Sequence, residues 1–437
     1  MYNKTENNSM NKTKVGHIII ADKLYIEKAG VEDASELESL YTYNTGEEFI
    51  STLEETDEHF IVPSNSYSKL EWNSIDDRRN FKTLDYTIAF RGKLRPEQQE
   101  VVDAFFKRGR ARSGLIQARP GFGKTFTAAN IIAANSTRTL VLVHTKLLFR
   151  QWIKELESQL PDITIGKEGD GLFDLQDVTV AIYKTAYNKI DRLKDEFSLL
   201  ITDEAHKAPA DMFSAVVNGI NAKVKIALTA TPRRKDGKHV FLADYFTDYL
   251  VQADDSRDLP IPNVKLVPSD FNFRVVDPKR DWARTLNKLC SDQKYLQFVA
   301  SLANQYIGQG RCPLILGERV QMLKDLQALI PNSITLIGST TEEQREDGLA
   351  GLGTKYKAIL STKLFDEGIS CHRLDTLILT CPSNNSIQLE QRIGRIERLH
   401  PEKQHPLIVD IQLSGHIVRR QQQNRLLYYQ RKGYNIL

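Results

Sequence analysis

The chain has 437 residues, of which 41% are hydrophobic and 26% charged, and its net charge is +3. That length provides for two or three domains with buried cores, and no apolar run approaches the ~20 residues of a membrane-spanning helix. The polar N-terminus lacks the apolar stretch of a signal peptide, and the four cysteines show no C-x-x-C spacing. We therefore expect a cytoplasmic protein with no membrane association, no zinc site and no disulfide framework.

Charge is unevenly distributed along the chain. Residues 1–88 contain 9 Lys and Arg against 17 Asp and Glu, whereas the remainder contains 50 against 39. Contacts from Lys and Arg to phosphates dominate the affinity of proteins for nucleic acids. The acidic first part is therefore unsuited to bind a polyanion, and any such surface is expected in the basic remainder.

The first 88 residues are predicted to hold a small module. Residues 1–14 are rich in Asn, Lys and Thr and are expected to be disordered. Residues 15–88 are predicted to form a small α+β accessory domain, with a short helix over Val31–Leu40 and strands over Val15–Ile20, His59–Val62 and Tyr86–Ile88.

From residue 89 the pattern changes to short apolar strands separated by longer amphipathic segments, which is typical of parallel sheets covered by helices on both faces. In a first domain, residues 89–253, the predicted strands are Leu115–Ala118, Leu140–His144, Val178–Ile182, Leu199–Thr202 and Ile226–Thr229. A polar segment over residues 254–264 is predicted to be a linker. In a second domain, residues 265–437, the strands are Pro313–Leu316, Ile334–Ile337, Ala358–Ser361, Thr376–Leu379 and Leu407–Asp410. The predicted fold class is α/β, with two such domains in tandem.

A glycine-rich loop follows the first strand of the first domain. Residues Ala118–Thr125 read Ala-Arg-Pro-Gly-Phe-Gly-Lys-Thr, and a helical segment rich in Ala and Ile comes next. Backbone N–H groups of such a loop, with the positive end of the helix dipole, favour a polyphosphate. Lys124 is placed to reach the β- and γ-phosphates of a nucleotide, and Thr125 to hold Mg²⁺. Ala118 stands where the strict pattern has Gly, so an ordinary strand-to-helix turn is the alternative.

Two acidic residues follow the fourth of these strands. Asp203 and Glu204 come directly after Leu199–Thr202, and ligands of parallel α/β sheets gather at the carboxyl ends of strands. An Asp there is suited to hold Mg²⁺, and the neighbouring Glu to orient or deprotonate an attacking water. A helix N-terminus with favourably placed acids is the alternative. The next strand ends at Thr229-Ala230-Thr231, which is either a capping turn or a hydroxyl relay that reports the state of the triphosphate.

The second domain contains an arginine-rich segment, Gln391-Arg392-Ile393-Gly394-Arg395-Ile396-Glu397-Arg398. Its arginines are spaced i, i+3 and i+6, so on a helix they would share one face. Either that face is solvated, or it supplies arginine fingers that stabilise the charge on a γ-phosphate during hydrolysis.

Taken in order, these segments resemble the motif set of superfamily 2 helicases and translocases. The series begins at Leu94-Arg95-Pro96-Glu97-Gln98, includes Asp203-Glu204-Ala205-His206, and covers about residues 92–412. The resemblance implies two RecA-like domains, ATP and Mg²⁺ as cofactors, Gln98 as the adenine reader and Glu204 as the catalytic base. It further implies an ATP site that contains Arg95, Pro120, Gly121, Phe122, Gly123, Lys124, Thr125, Asp203, Asp366, Gly368, Gln391, Arg395 and Arg398, with His206, Thr229 and Thr231 in coupling.

The resemblance also accounts for Ala118, because the phosphate loop of this family commonly begins with Ala, whereas Glu397 departs from the common Gly. Residues 145–152, 182–185 and 361–369, each a strand end bearing Thr and Lys, resemble the family's nucleic-acid motifs. Such side chains suit phosphate contacts, and plain strand ends are the alternative. The residues expected at DNA are Thr145, Lys146, Gln151, Thr185, Thr362, Arg234 and Lys235.

The entry motif Leu94–Gln99, the glycines around Asp170 and the segment Arg234-Lys235-Asp236 resemble the branch of XPB-type helicases and of phage recombination helicases of the UvsW kind. In that last segment Lys235 replaces the Glu of the XPB-type element, and a charged surface loop is the alternative. Residues His416–Leu437 are predicted to form a basic terminal helix whose tyrosines either stack on single strands or pack internally. We expect a monomeric ATP-dependent DNA helicase or translocase that remodels forks and Holliday junctions by branch migration. It would work with recombination or replication proteins, in the host cytoplasm if phage-encoded. The alternatives are an RNA helicase, a restriction-complex motor and an ATP-gated clamp that does not unwind.

Overall fold

The structure, a computed structural model, describes residues 12–44, 48–107, 110–204, 210–230, 242–247, 249–253, 259–362, 371–398 and 400–437. The chain divides into two compact units, Met1–Ser256 and Arg257–Leu437. Each unit contains a parallel sheet with helices between its strands, which confirms the predicted α/β class. In the described part of the chain, every helix is too short or too polar to serve as a membrane-spanning segment.

The first unit begins with a small α+β module. Its elements in chain order are β1 (Thr13–Ile20), β2 (Lys23–Glu27), α1 (Ala34–Leu40), β3 (Thr42–Asn44), β4 (Phe49–Ser51), β5 (Glu54–Glu55), β6 (His59–Pro63) and β7 (Leu70–Asp77). The main sheet has the order β5-β6-β2-β1-β7, in which only β1 and β7 are parallel. Alternate residues of β1 and β2, such as Ile18 and Leu24, pack against Leu37 of α1.

Two predicted boundaries in this module differ from the structure. Strand β1 begins at Thr13, inside the segment 1–14 that was expected to be disordered, and residues 1–11 lie outside the described residues. Helix α1 begins at Ala34 rather than Val31. Asp33 caps it there, because its carboxylate accepts the backbone N–H groups of Ser35 at 2.9 Å and Glu36 at 3.1 Å.

The strand predicted over Tyr86–Ile88 is absent from the structure, which has irregular backbone there. The segment crosses the surface of the following domain instead of entering a sheet. The backbone N–H of Leu84 donates to the carbonyl of Ser136 at 2.9 Å, and the Tyr86 hydroxyl donates to Asp177. The apolar pattern of this segment thus reflects contacts with that domain.

The remainder of the first unit is built around a larger sheet. Its elements are α2 (Pro96–Phe105), β8 (Phe106–Lys107), β9 (Arg110–Ala111), β10 (Gly114–Gln117), α3 (Lys124–Asn135), β11 (Thr139–Val143), α4 (Lys146–Gln159), β12 (Ile165–Gly169), β13 (Leu172–Asp174), β14 (Val178–Ile182), α5 (Tyr183–Asn188), α6 (Ile190–Leu193), β15 (Leu199–Asp203), α7 (Ala210–Gly219), β16 (Val224–Thr229), α8 (Leu242–Phe246) and β17 (Leu250–Gln252). The sheet order is β13-β12-β14-β11-β15-β16-β10-β17, and every pair except β12–β13 is parallel. All residues of the central strands β11 and β15 are buried, as expected for strands covered on both faces. The five strands predicted for this domain are confirmed to within two residues at each end.

The module is joined to this domain by a buried carboxylate in α8. Asp244 is fully buried, and its carboxylate pairs with Lys69 Nζ at 2.5 Å. It also accepts hydrogen bonds from the hydroxyl groups of Tyr43, at 2.5 Å, and Thr52, at 3.0 Å. All three partners belong to the module. In these contacts, every group that compensates the charge of Asp244 therefore belongs to the N-terminal module.

A buried lysine makes a second connection between the module and the domain. Lys225 of β16 is 1% exposed, and its Nζ donates to Ser64 Oγ at 3.0 Å and to the Val217 carbonyl at 2.7 Å. Burial lowers the pKa of Lys225 to about 7, and the nearby charge of Arg79 acts in the same direction. This amine thus changes its protonation state near physiological pH.

The second unit contains a parallel sheet of its own. Its elements are β18 (Asn263–Asn272), α9 (Pro278–Ser291), α10 (Gln293–Gly308), β19 (Pro313–Leu316), α11 (Val320–Leu329), β20 (Ser333–Leu336), α12 (Glu342–Ala350), β21 (Ala358–Ser361), β22 (Thr376–Leu379), α13 (Ser386–Ile396), β23 (Leu407–Ser414), α14 (His416–Arg431) and β24 (Asn435–Ile436). The order is β20-β21-β19-β22-β23-β18-β24. The predicted strands correspond to β19–β23, but β18 begins at Asn263, inside the segment predicted as a linker. That strand was missed because Lys265, Pro268 and Asp270 interrupt its apolar pattern.

The terminal helix α14 packs its tyrosines inside the second unit. Tyr429 is fully buried and donates to Asp410 at 3.0 Å, and Arg425 pairs with the same carboxylate at 2.7 Å. Beyond the helix, the Tyr434 hydroxyl donates to Glu397 at 3.0 Å. Of the two roles considered for these tyrosines, the structure supports internal packing.

Candidate active site

The glycine-rich loop leaves the carboxyl end of β10 and enters α3. The backbone N–H of Ala118 donates to the Thr229 carbonyl at 3.0 Å, which fixes the start of the loop against β16. Gly121 and Gly123 have φ values of 84° and 91°, a region that favours glycine. A Cβ atom on Gly123 would also lie 2.7 Å from Gln98 Nε2. The loop conformation therefore depends on glycine at this position.

Lys124 and Thr125 occupy the first turn of α3, where the helix dipole is positive. The Lys124 side chain folds over the loop, and its Nζ donates to the Ala118 carbonyl at 3.1 Å. Thr125 is partly buried in the same turn. A lysine and a hydroxyl at this place suit a polyphosphate and its cation.

The two acidic residues lie at the end of β15, beside β16, which in turn pairs with β10. Asp203 is largely buried, and the backbone N–H of Glu204 donates to the Leu228 carbonyl at 2.9 Å. Glu204 has φ +47°, an uncommon conformation for a residue other than glycine and one that clusters at functional sites. A Glu204 carboxylate oxygen lies 3.9 Å from Lys124 Nζ. The structure thus brings the loop, both acids and Thr229 to one edge of the sheet.

Arg95, Gln98 and Phe122 form the support beneath the loop. The Phe122 carbonyl accepts Arg95 Nη2 at 2.5 Å and Gln98 Nε2 at 2.9 Å, and the Phe122 ring is fully buried. Gln98 Oε1 accepts the backbone N–H of Arg95 at 3.0 Å. Both ends of the Gln98 amide are therefore engaged within the protein. Its role in reading adenine stays a prediction, and it would use the second N–H and the second lone pair of the amide. Pro120 is partly exposed at the start of the loop.

One contact to this site was missed from the sequence. The Trp152 indole Nε1–H donates to Asp203 Oδ2 at 2.8 Å, and Trp152 is 1% exposed. The residue lies on the buried face of α4, so its apolar surroundings masked the polar contact. A donor-only indole at a buried carboxylate holds that carboxylate in one orientation.

Of the first-domain residues expected at DNA, those that the structure describes lie at the N-terminus of α4, on α4 and on α5. Thr145 caps α4, with its Oγ1 accepting the Leu148 N–H at 3.2 Å. Lys146 Nζ and Arg150 Nη2 pair with Asp170 at 2.7 Å and 2.5 Å. These two side chains hold the pKa of Asp170 below its usual value. Gln151 and Thr185 are partly exposed on α4 and α5.

The second-domain residues lie after β21 and on α13. Thr362 follows β21 and is partly exposed. Gln391 and Arg395 are buried on α13. The helix ends at Ile396, so Arg398 lies beyond it. The prediction that three arginines share one helix face is therefore wrong for Arg398. Lys403 fixes this end, because its Nζ donates to the carbonyl groups of Ile396 and Arg398.

Several predicted residues lie outside the described residues. They are His206, Thr231, Arg234, Lys235, Asp366 and Gly368.

Comparison with known families assigns both halves of the chain. Residues 91–234 match the model of the type III restriction enzyme res subunit, and residues 297–400 match the helicase conserved C-terminal domain. Together these matches cover more than half of the chain and carry the motifs described above. The chain belongs to the superfamily 2 helicases. As a superfamily 2 helicase it contains two tandem RecA-like domains and acts as an ATP-dependent enzyme on nucleic acid.

Two relatives of this superfamily 2 helicase each match 74% of the chain. The probable helicase D10 of Escherichia phage T5 is 27% identical over 333 residues, covering 74% of this chain and 73% of the relative. The DNA 3'-5' translocase XPB2 of Sulfurisphaera tokodaii is 26% identical over 377 residues, covering 74% of this chain and 82% of the relative. The crystal structure of T4 UvsW superposes with a TM-score of 0.41 and 15% identity, over 96% of this chain and 98% of that chain.

The residues at the sheet edge fit the magnesium that superfamily 2 helicases use with ATP. Carboxylate and hydroxyl oxygens are the ligands that Mg²⁺ prefers, and Asp203 and Thr125 supply one of each. When bound, the cation neutralises charge on the phosphates. Glu204 is one residue beyond Asp203, and its role as the catalytic base stays a prediction.

Proposed function

We propose that this protein is an ATP- and Mg²⁺-dependent DNA helicase or translocase that remodels branched DNA, such as forks and four-way junctions, in recombination, repair or replication. The observation that carries the ATPase assignment is the convergence of the loop, Asp203 and Glu204 at the carboxyl ends of β10 and β15, which flank β16. The 3.9 Å separation of Lys124 from Glu204 supports a compact site.

In this proposal each residue of the site has a distinct role. Lys124 binds the β- and γ-phosphates, while Thr125 and Asp203 hold the cation. Glu204 accepts the proton of the attacking water, and its constrained backbone keeps the carboxylate in place. Gln391, Arg395 and Arg398 of the second domain stabilise charge on the γ-phosphate, so that hydrolysis depends on both domains.

The name of a relative favours DNA as the nucleic acid. The name of the archaeal relative XPB2 specifies a DNA 3'-5' translocase. The basic part of the chain carries the α4 cations Lys146 and Arg150, which suit phosphate contacts to either DNA or RNA without base recognition. Other relatives are named as RNA helicases, and RNA is therefore an arm of the test.

The N-terminal module supports a branched substrate. It carries an excess of acidic residues, and buried contacts at Asp244 and Lys225 attach it firmly to the ATP-binding domain. An acidic body fixed beside a strand-tracking motor repels a second duplex arm. Such repulsion would keep the arms of a junction apart while one strand is drawn along.

A substrate panel tests the proposal. ATP turnover and product structure would be measured with synthetic forks, four-way junctions, linear duplex, single-stranded DNA and single-stranded RNA of matched length. We expect the greatest stimulation and strand exchange with forks and junctions. Greatest stimulation by RNA would overturn the DNA assignment. ATP turnover without any displaced strand would favour the clamp, and equal turnover on linear duplex would favour a restriction-type motor.

A further inference from the structure

Helix α4 contacts two functionally distinct regions of the first unit. Its N-terminus carries Thr145 and Lys146, which are expected at DNA. Two turns later, on its buried face, the Trp152 indole N–H donates to Asp203 Oδ2 at 2.8 Å. The same rigid element therefore touches the expected nucleic-acid strand and a ligand of the expected cation.

We propose that Trp152 is a positioning residue that orients the Asp203 carboxylate for Mg²⁺ and makes this orientation depend on nucleic acid bound at the start of α4. The inference rests on the proposed function, because it presupposes ATP at the loop and a nucleic-acid strand at Thr145 and Lys146.

Burial makes the hydrogen bond between Trp152 and Asp203 difficult to replace. Trp152 is 1% exposed and Asp203 is 7% exposed, so water has little access to replace the contact. The indole has a donor and no acceptor, and it therefore holds the carboxylate oxygen that accepts this bond in one orientation. Mg²⁺ requires near-ideal octahedral geometry, so a small rotation of a ligand lowers its affinity. Residues that orient a metal ligand in this way affect metal affinity without touching the metal.

The start of α4 carries a charge arrangement that nucleic acid would disturb. Lys146 and Arg150, one turn apart, both pair with Asp170. A phosphate bound at Lys146 and Arg150 competes with Asp170 for these two cations. That competition changes the forces that act on the start of α4. Lys146 and Trp152 lie on one continuous helix, so in this proposal a displacement at Lys146 is transmitted to the indole of Trp152. By linkage, nucleic acid that tightens cation binding must itself bind tighter when the cation is present.

The first test measures cation-dependent nucleotide binding rather than activity. Anisotropy of a fluorescent, non-hydrolysable ATP analogue would be followed against Mg²⁺ concentration for Trp152→Phe and wild type. We expect the half-saturating Mg²⁺ concentration to rise on the order of tenfold in Trp152→Phe, the usual effect of removing a residue that orients a metal ligand. The matched control is Phe149→Leu, a change in the same helix and core that involves no polar contact. An unchanged half-saturating concentration in folded Trp152→Phe would overturn the proposal.

A second test leaves Trp152 intact and holds even if Trp152→Phe fails to fold. The chain has three tryptophans, so Trp72→Phe with Trp282→Phe leaves Trp152 as the sole reporter. We expect Trp152 emission to change when a single-stranded oligonucleotide is added in the absence of nucleotide. The midpoint of this change should equal the midpoint of binding measured by anisotropy of the labelled oligonucleotide. If Trp152 emission stays constant while anisotropy reports oligonucleotide binding, the proposed link between nucleic acid at α4 and the Asp203 carboxylate is refuted.

The two tests separate this inference from the proposed function. If wild type binds neither the ATP analogue nor the oligonucleotide, the proposed function fails. If wild type binds both, but Trp152→Phe behaves like Phe149→Leu and Trp152 emission ignores the oligonucleotide, only the role of Trp152 fails.

Discussion

Lys124 Nζ lies 3.9 Å from a carboxylate oxygen of Glu204, at the ends of strands that β16 separates in the sheet. The pair joins the phosphate-binding loop to the expected base. Their roles differ, so their substitutions should differ in effect.

Lys124→Ala is expected to lose ATP affinity, because it removes the cation that faces the phosphates. Glu204→Gln is expected to bind ATP normally and to lose turnover by roughly 10²–10⁴-fold, the usual contribution of a general base. Equilibrium binding of a fluorescent ATP analogue and phosphate release with DNA would be measured. Lys324→Ala, an exposed lysine of α11, is the control. Full DNA-stimulated turnover in both variants would refute the site assignment.

Arg395→Ala should lower turnover by about 10³-fold while sparing ATP binding, as expected for an arginine that acts on developing charge. Arg395 is 6% exposed, so thermal melting must accompany the kinetics. Arg419→Ala, an exposed change in α14, is the control. Simultaneous loss of binding and turnover with a lowered melting temperature indicates misfolding, whereas full turnover contradicts the assignment.

Asp170→Asn is expected to strengthen DNA binding about threefold, because it releases Lys146 and Arg150 from their ion pairs, which are partly exposed and therefore weak. The salt dependence of the affinity should steepen, since more cations then meet phosphates. Anisotropy of labelled DNA across a salt series provides both quantities. Asp174→Asn on β13 is the control, and an affinity below that of wild type would contradict this account.

Lys225 gives a pH dependence whose sign follows from its lowered pKa. The pKa is about 7 in the folded protein and higher in the unfolded chain, so the unfolded state binds more protons between these values. The contribution of Lys225 to stability therefore rises with pH above about 7, by at most about 1.4 kcal/mol per pH unit. Below about pH 7 the amine is protonated in both states, so the contribution of Lys225 to stability no longer changes with pH.

The corresponding experiment compares wild type with Lys225→Met at pH 7 and pH 9. Urea unfolding would be followed by fluorescence in a Trp282→Phe background, which restricts the signal to the first unit. We expect wild type to gain stability relative to Lys225→Met at the higher pH. The exposed change Lys194→Met should show no such gain. Parallel pH profiles for wild type and Lys225→Met would exclude a lowered pKa.

Asp244→Ala should destabilise the first unit by about 3–5 kcal/mol, because it leaves the partly buried Lys69 without its carboxylate. Limited proteolysis should then cut near residues 45–90 earlier than in wild type. Asp162→Ala, an exposed change in the same unit, serves for comparison. Equal cleavage rates for the two variants would show that Asp244 does not attach the module.

The central strands were predictable, and the edge elements were not. Strands β11 and β15 are buried along their whole length, so they appear in the sequence as continuous apolar runs. Strand β13 is exposed at every residue and carries no such pattern. Its position depends on pairing with β12, which local sequence does not encode.

The candidate site likewise contains some features that were predictable from the sequence and others that were not. The loop and the pair Asp203-Glu204 were identifiable because a dipeptide or short motif at a strand end carries the chemistry. The contact from Trp152 to Asp203 depends on how α4 packs against the sheet, and a buried tryptophan has the same local pattern with or without a polar partner. The end of α13 at Ile396 was likewise hidden, because the capping lysine lies on the following segment.

The dependence of Asp244 and Lys225 on module residues has a practical consequence for domain dissection. A truncation that starts at residue 89 would remove Lys69, Tyr43 and Thr52 from a carboxylate with no solvent exposure, and Ser64 from a buried amine. The shortened protein would lose those partners of two ionisable groups and would expose the surface that the module covers. Loss of activity after such a deletion would therefore report a damaged motor, and the module's own contribution to substrate choice is better measured by changing its exposed residues.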